Sequence, residues 1–179
     1  MVCDNSTLQQ KIDTNLPLLN TLQRTAYDAV MDAVNGEPKL FFLDGPGGTG
    51  KTFVENLLLA TVRRNGGIAL AVASSGIAAI LLDSGRTAHS TFRIPIEIDR
   101  DSYCTMNSNK ESPIAYLMKR VKLIIWDECS MQHRYCFEAV DRTLRDIRGD
   151  ESVSFGGVTV LFAGDFRQCL PIVPSGSRS

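Results

Sequence analysis

One stretch of eight residues restricts this chain more than any other: Gly45-Pro46-Gly47-Gly48-Thr49-Gly50-Lys51-Thr52. It follows the short apolar run Leu40-Phe41-Phe42-Leu43, which reads as a buried strand. It precedes a segment in which Phe53, Leu57, Leu58 and Val62 share one helical face. The pattern is G-x-x-x-x-G-K-[ST] set between a strand and a helix. Glycines let consecutive backbone N–H groups converge on one anion, and the start of the helix adds partial positive charge. Gly45, Gly47, Gly48, Thr49 and Gly50 are therefore candidates to wrap a polyphosphate. Lys51 would reach its outer phosphates, and the Thr52 hydroxyl would hold Mg²⁺. A glycine-rich turn without a ligand is the plainer alternative, disfavoured because context and pattern match together.

Four further segments carry candidate chemistry. Leu123-Ile124-Ile125-Trp126 is an apolar strand that ends in Asp127-Glu128. After a phosphate loop, the first carboxylate suits the Mg²⁺ shell and the second can polarise an attacking water. Gly164-Asp165-Phe166-Arg167-Gln168 also follows a strand, and Gln168 could sense a γ-phosphate there. Gln23 lies three residues after Asn20, so it completes a capping box; its amide could equally read an adenine edge. Those two readings stay open. Ser75-Gly76, at a strand-to-helix turn, could hold a nucleic-acid phosphate through hydroxyl and amide groups. Thr87-Ala88-His89-Ser90-Thr91-Phe92-Arg93 offers hydroxyls, an imidazole, a ring and a cation, a mixture suited to a single strand. Phe92 as a core anchor is the plainer alternative.

Between these motifs, apolar strands at Leu40–Leu43, Ile68–Ala73, Val121–Trp126 and Val158–Ala163 alternate with helical patterns, predicting a parallel sheet covered on both faces. Residues 1–18 are polar and unpatterned and read as a flexible lead-in. Residues 97–111 read as a surface insertion, and Arg142, Arg145 and Arg148 as solvated. The net charge of −1 excludes binding nucleic acid by bulk positive charge, so any such contact is local. No apolar run approaches the roughly 20 residues of a membrane span, and no secretory signal is visible at the N-terminus. Five cysteines without a C-x-x-C suggest free thiols in a reducing compartment.

Taken in order, G-P-G-G-T-G-K-T, A-S-S-G-I-A-A, T-A-H-S-T-F, I-I-W-D-E-C-S-M and G-D-F-R-Q-C-L-P-I-V-P resemble the first RecA-like domain of the Pif-type helicases of superfamily one. The resemblance runs from about Leu19 to Pro174 and is nearest to eukaryotic members, including those carried by rolling-circle transposons. It implies an α/β P-loop NTPase fold of RecA-like type over residues 19–179 and an ATP-driven motor moving 5′ to 3′ on single-stranded DNA. It also implies roles. Gln23 would contact adenine, and Lys51 and Thr52 would hold phosphate and Mg²⁺. Asp127 would order the metal, Glu128 would activate water, and Gln168 would couple the γ-phosphate to domain motion. Ser75, Gly76, His89, Ser90 and Phe92 would line the DNA path. The family's second RecA-like domain, source of the arginines that stabilise the transferring phosphoryl group, is not within these 179 residues. The chain alone is therefore expected to bind ATP–Mg²⁺ weakly, turn it over very slowly and unwind nothing. A catalytically silent nucleotide- or DNA-binding module is the alternative. A small-molecule kinase is a third reading, lacking an acceptor site and a lid. Gln168-Cys169-Leu170-Pro171 departs from the superfamily's more usual Gln-Leu-Pro-Pro. A nuclear address is the family expectation, with the mitochondrion as its alternative.

Overall fold

The structure is a computed structural model that describes residues 4–107 and 112–168. Among the described residues, five strands form one sheet: β1 (Leu40–Asp44), β2 (Ile68–Ala73), β3 (Arg86–Thr87), β4 (Val121–Asp127) and β5 (Thr159–Gly164). Their order is β1-β5-β4-β2-β3, and every neighbouring pair is parallel. Parallel strands require crossovers, and here helices supply most of them. These helices are α1 (Asn5–Asn15), α2 (Thr21–Asn35), α3 (Lys51–Arg64), α4 (Gly76–Ala79), α5 (Ala88–Phe92), α6 (Pro113–Arg120) and α7 (Arg134–Arg148).

The central strand shows why its sequence is apolar throughout. Leu123 and Ile125 of β4 point into a core shared with α1, α2 and α3, while Ile124 and Trp126 point into a second core shared with α5, α6 and α7. Both faces are covered, so period-two alternation carries no polar side. Trp126 anchors the second core, with ring centroids 5.5 Å from Phe92, 4.7 Å from Phe137 and 6.1 Å from Phe162.

Several expectations are corrected. The polar lead-in over 1–18 contains a helix: Asp4 caps α1, and Leu8 and Ile12 are buried in the α3 core. Lys11 pairs with Asp83. Two apolar residues at i and i+4 were too few to register as a pattern, but α3 supplies the rest of the contact. Strand β1 is an edge strand rather than a buried one, with Leu40 and Phe42 46% and 41% exposed. Phe42 stacks instead on Phe166, centroids 4.7 Å apart. The segment 97–111 is not purely superficial. Cys104 and Met106 are buried, the Cys104 amide donates to Thr143 Oγ1 (2.9 Å), and Arg142 donates to the Ser102 carbonyl (2.7 Å). Arg145 pairs with Asp141 at 2.9 Å, and Arg148 donates to the carbonyls of Gly156 (2.5 Å) and Lys119 (2.8 Å). These arginines are tethers, not merely solvated charges. Residues 108–111 and the end of the chain from Cys169 lie outside the described residues, including most of the Gln168-Cys169-Leu170-Pro171 departure.

Replacing Ile12 by Ala is expected to cost about 2 kcal/mol of unfolding free energy, the low end for a buried isoleucine. Urea denaturation reads it. A loose lead-in would leave the midpoint unchanged.

Candidate nucleotide and DNA site

Because all strands run the same way, their carboxyl ends meet along one rim, where open α/β sheets place ligands. The phosphate loop leaves β1 there and turns directly into α3. Gly48 and Gly50 hold φ of 82° and 84°, a region that penalises side chains. A Cβ on Gly50 would lie 2.6 Å from Gln23 Nε2, so a side chain there would also push the Gln23 amide from its place. Lys51 Nζ donates to the carbonyls of Gly45 (2.5 Å) and Pro46 (3.3 Å), closing its ammonium over its own loop. Thr49 Oγ1 donates to the Pro46 carbonyl at 2.8 Å and tightens the same turn.

Of the two readings of Gln23, the structure shows the capping box. The capping box is formed in both directions: Gln23 N donates to Asn20 Oδ1 (2.9 Å) and Asn20 N to Gln23 Oε1 (3.1 Å). Gln23 Nε2 also donates to the Thr49 carbonyl at 3.2 Å, tying the start of α2 to the loop. Between them opens a cavity of about 380 Å³ lined by residues that include Leu22, Gln23, Leu43, Gly50, Lys51 and Val54. Its apolar walls and amide suit a flat heteroaromatic group.

Opposite the loop, β4 ends at Asp127 and β5 at Gly164. Asp127 is 4% exposed, and its Oδ1 accepts from the Glu128 amide at 2.8 Å. Burial pushes its carboxyl above the ordinary range, opposed by that amide and by Lys51. Glu128 sits at φ 50°, a left-handed conformation uncommon for a side chain and frequent at functional sites. Burial raises its carboxyl as well, with Asp127 adding to the rise. Gln168 is held by Asp165: Gln168 Nε2 donates to Asp165 Oδ2 (2.9 Å) and Gln168 N to the Asp165 carbonyl (3.1 Å). The Gln168 amide faces the loop, 3.8 Å from where a Cβ on Gly47 would stand. Thr52 and Asp127 supply hard oxygen donors of the kind Mg²⁺ takes, and the buried carboxylates around them fit a cation.

Two acidic residues escaped the sequence analysis. Asp165 directly follows the apolar strand β5, the available signal for a strand-end carboxylate. Glu55 lies on α3, four residues after Lys51. It is fully buried, and neither carboxyl oxygen has a hydrogen-bond partner among the described residues. Burial pushes its carboxyl to about 8, with Asp127 and Glu128 adding and Lys51 opposing. A charged residue between Val54 and Leu57 on an otherwise apolar face was the available signal.

The proposed DNA-facing residues separate. Ser75 caps α4, its Oγ accepting from the Ala78 amide at 3.2 Å. The Ser74 amide donates to the Asp127 carbonyl at 3.2 Å, so this turn abuts the acidic pair. Gly76, His89 and Ser90 are exposed near the ends of β2 and β3. Phe92 is corrected: it is fully buried against Trp126, and its ring offers no face to a base.

The sequence profile of the PIF1-like helicases matches residues 18–179. This chain belongs to that family. It is 31% identical over 87% of its length to the ATP-dependent DNA helicase Pif1 of Psychrobacter sp.. Among solved structures, Bacteroides sp. Pif1 in complex with ADP-AlF4 superposes with a TM-score of 0.70 at 29% identity over 88% of this chain. The same organism's Pif1 bound to single-stranded DNA gives 0.63 at 29% over 83%. The chain spans 22% of the Psychrobacter protein and about a third of each Bacteroides chain (34% and 33%). Its α/β P-loop architecture is that of the family's first RecA-like domain.

Glu55 also sets a pH dependence. Its folded value of about 8 lies above its ordinary 4.5, so the neutral acid favours the fold below 4.5 and that contribution drains away as pH rises towards 8. Unfolding free energy of the unliganded chain should fall through that window, by up to about 1.4 kcal/mol per pH unit from this group. Glu55→Gln should flatten the fall; denaturant titrations at pH 5 and pH 8 check it.

Proposed function

We propose that this chain is the ATP-binding half of a 5′-to-3′ DNA helicase motor, hydrolysing ATP to ADP and phosphate when its second RecA-like domain is present. One juxtaposition supports it above all: the loop of Gly45–Lys51, the acidic pair Asp127-Glu128 and the amide of Gln168 meet on one rim, at the ends of β1, β4 and β5, which lie side by side in the sheet. The Psychrobacter relative is named an ATP-dependent DNA helicase, and Bacteroides Pif1 is solved in complex with ADP-AlF4 and bound to single-stranded DNA.

In this reading the adenine enters the cavity beside Gln23 and the triphosphate lies along the loop amides. Lys51 exchanges its two carbonyls for phosphate oxygens, a stronger charge-assisted contact. Thr52 and Asp127 hold Mg²⁺, which supplies charge neutralisation for the phosphates. Glu128 orients the attacking water and takes its proton, and its raised affinity for protons suits a base. Gln168, braced by Asp165, stands where the γ-phosphate ends and reports its loss. The exposed Gly76, His89 and Ser90 receive DNA beside the same rim, with Ser75 shaping that turn. A second domain brings arginine to the transition state, worth about 10³–10⁵ in rate. The chain alone therefore binds nucleotide, turns it over slowly and separates no strands.

Lys51→Ala removes a charged contact worth roughly 1.5–3 kcal/mol, so ATP affinity should fall about tenfold or more in a calorimetric titration. In a protein that also carries the second domain, Glu128→Gln should keep ATP binding and slow phosphate release by about 10²–10⁴. Robust strand separation by the 179-residue chain alone would refute the need for a second domain.

A further inference from the structure

We infer that Glu55 is a third acidic positioning residue of the magnesium–nucleotide site, holding the metal's water shell from inside α3 while Thr52 and Asp127 hold the ion itself. The inference rests on the nucleotide-binding reading above and extends it to a residue outside the motifs.

Glu55 occupies a position where a carboxyl group is hard to justify structurally. It is wholly buried, yet both oxygens lack hydrogen-bond partners among the described residues, and buried polar groups are normally satisfied. Asp127, Lys51 and Glu128, all groups of that site, lie within its electrostatic reach. Helical spacing puts it one turn beyond both Lys51 and Thr52, so all three project towards one side of the start of α3. A leucine there would cost nothing in desolvation, and the surrounding α3 residues Leu57, Leu58 and Leu59 show that the core accepts one. The orphaned oxygens therefore point to a partner that arrives with the ligand.

Among the described residues no three carboxylates converge closely enough to chelate a cation directly. That favours contact through water. Mg²⁺ sheds its waters reluctantly and keeps several when bound to nucleotide, and each retained water has hydrogens to donate. Glu55 can accept from such a water as a carboxylate or as a neutral acid. Residues in this outer position typically contribute 10–100-fold to metal affinity.

The test separates metal-dependent from metal-independent binding. ADP is titrated calorimetrically into the full chain with excess Mg²⁺ and again with EDTA, and Mn²⁺ binding to the ADP complex is followed by electron paramagnetic resonance. In Glu55→Leu the Mg²⁺-dependent gain in ADP affinity should shrink roughly tenfold. Mn²⁺ should bind correspondingly weaker, while ADP affinity in EDTA stays as in wild type. Glu55→Gln, which keeps the shape, should lose part of the same gain and decides the matter if Glu55→Leu does not fold. A gain equal to wild type in the variants that fold overturns this inference alone. Failure of the wild-type chain to bind ADP under either condition overturns the nucleotide reading with it.

Discussion

Lys51, folded back on the carbonyls of Gly45 and Pro46, shows what the rest of the molecule is arranged around. A six-residue bend with almost no side chains directs its amides inward at the start of a fourteen-residue helix. The resulting positive potential holds its own lysine only by lending it two backbone oxygens. A polyphosphate satisfies amides and ammonium together, which neither carbonyl can do. The bend keeps its shape because its ends are fixed: Gln23 ties Thr49 to α2, and the Gly45 amide donates to the Gly164 carbonyl at the end of β5.

The sheet order decides what faces that bend. With β5 between β1 and β4, Gln168 stands between the phosphate loop and the acidic pair. All three reach the same rim because every strand is parallel. The same rim concentrates acid. Asp127, Glu128, Asp165 and Glu55 gather within electrostatic reach of Lys51 or of one another, and burial raises the carboxyls of Glu55, Asp127 and Glu128. Such crowding opposes stability in the unliganded chain. It is tolerated because two apolar cores, one on each face of β4, hold the rim in place.

The motifs were legible because their chemistry is local. A glycine bend, a lysine and a threonine act within eight residues, and the strands around them are continuous apolar runs. Asn20 and Gln23 could be paired from spacing alone, and the capping box formed as that spacing required. Other features depended on distant surfaces. The fate of Leu8 and Ile12 was set by α3, distant in sequence, and that of Phe42 by its place at the sheet's edge. Phe92 had an aromatic face on offer until Trp126 covered it.

By itself the sequence determined the phosphate-binding bend, the strand-end carboxylates and the alternation of strands and helices, because each is written in contiguous residues whose backbone preferences and side chains act on near neighbours. Only the tertiary structure decided that Glu55 is an acid sealed beside Asp127, that Asp165 braces Gln168 and that Phe92 belongs to the core. Burial and electrostatic coupling depend on which surfaces meet across the sheet, and strand order is not encoded in any one segment.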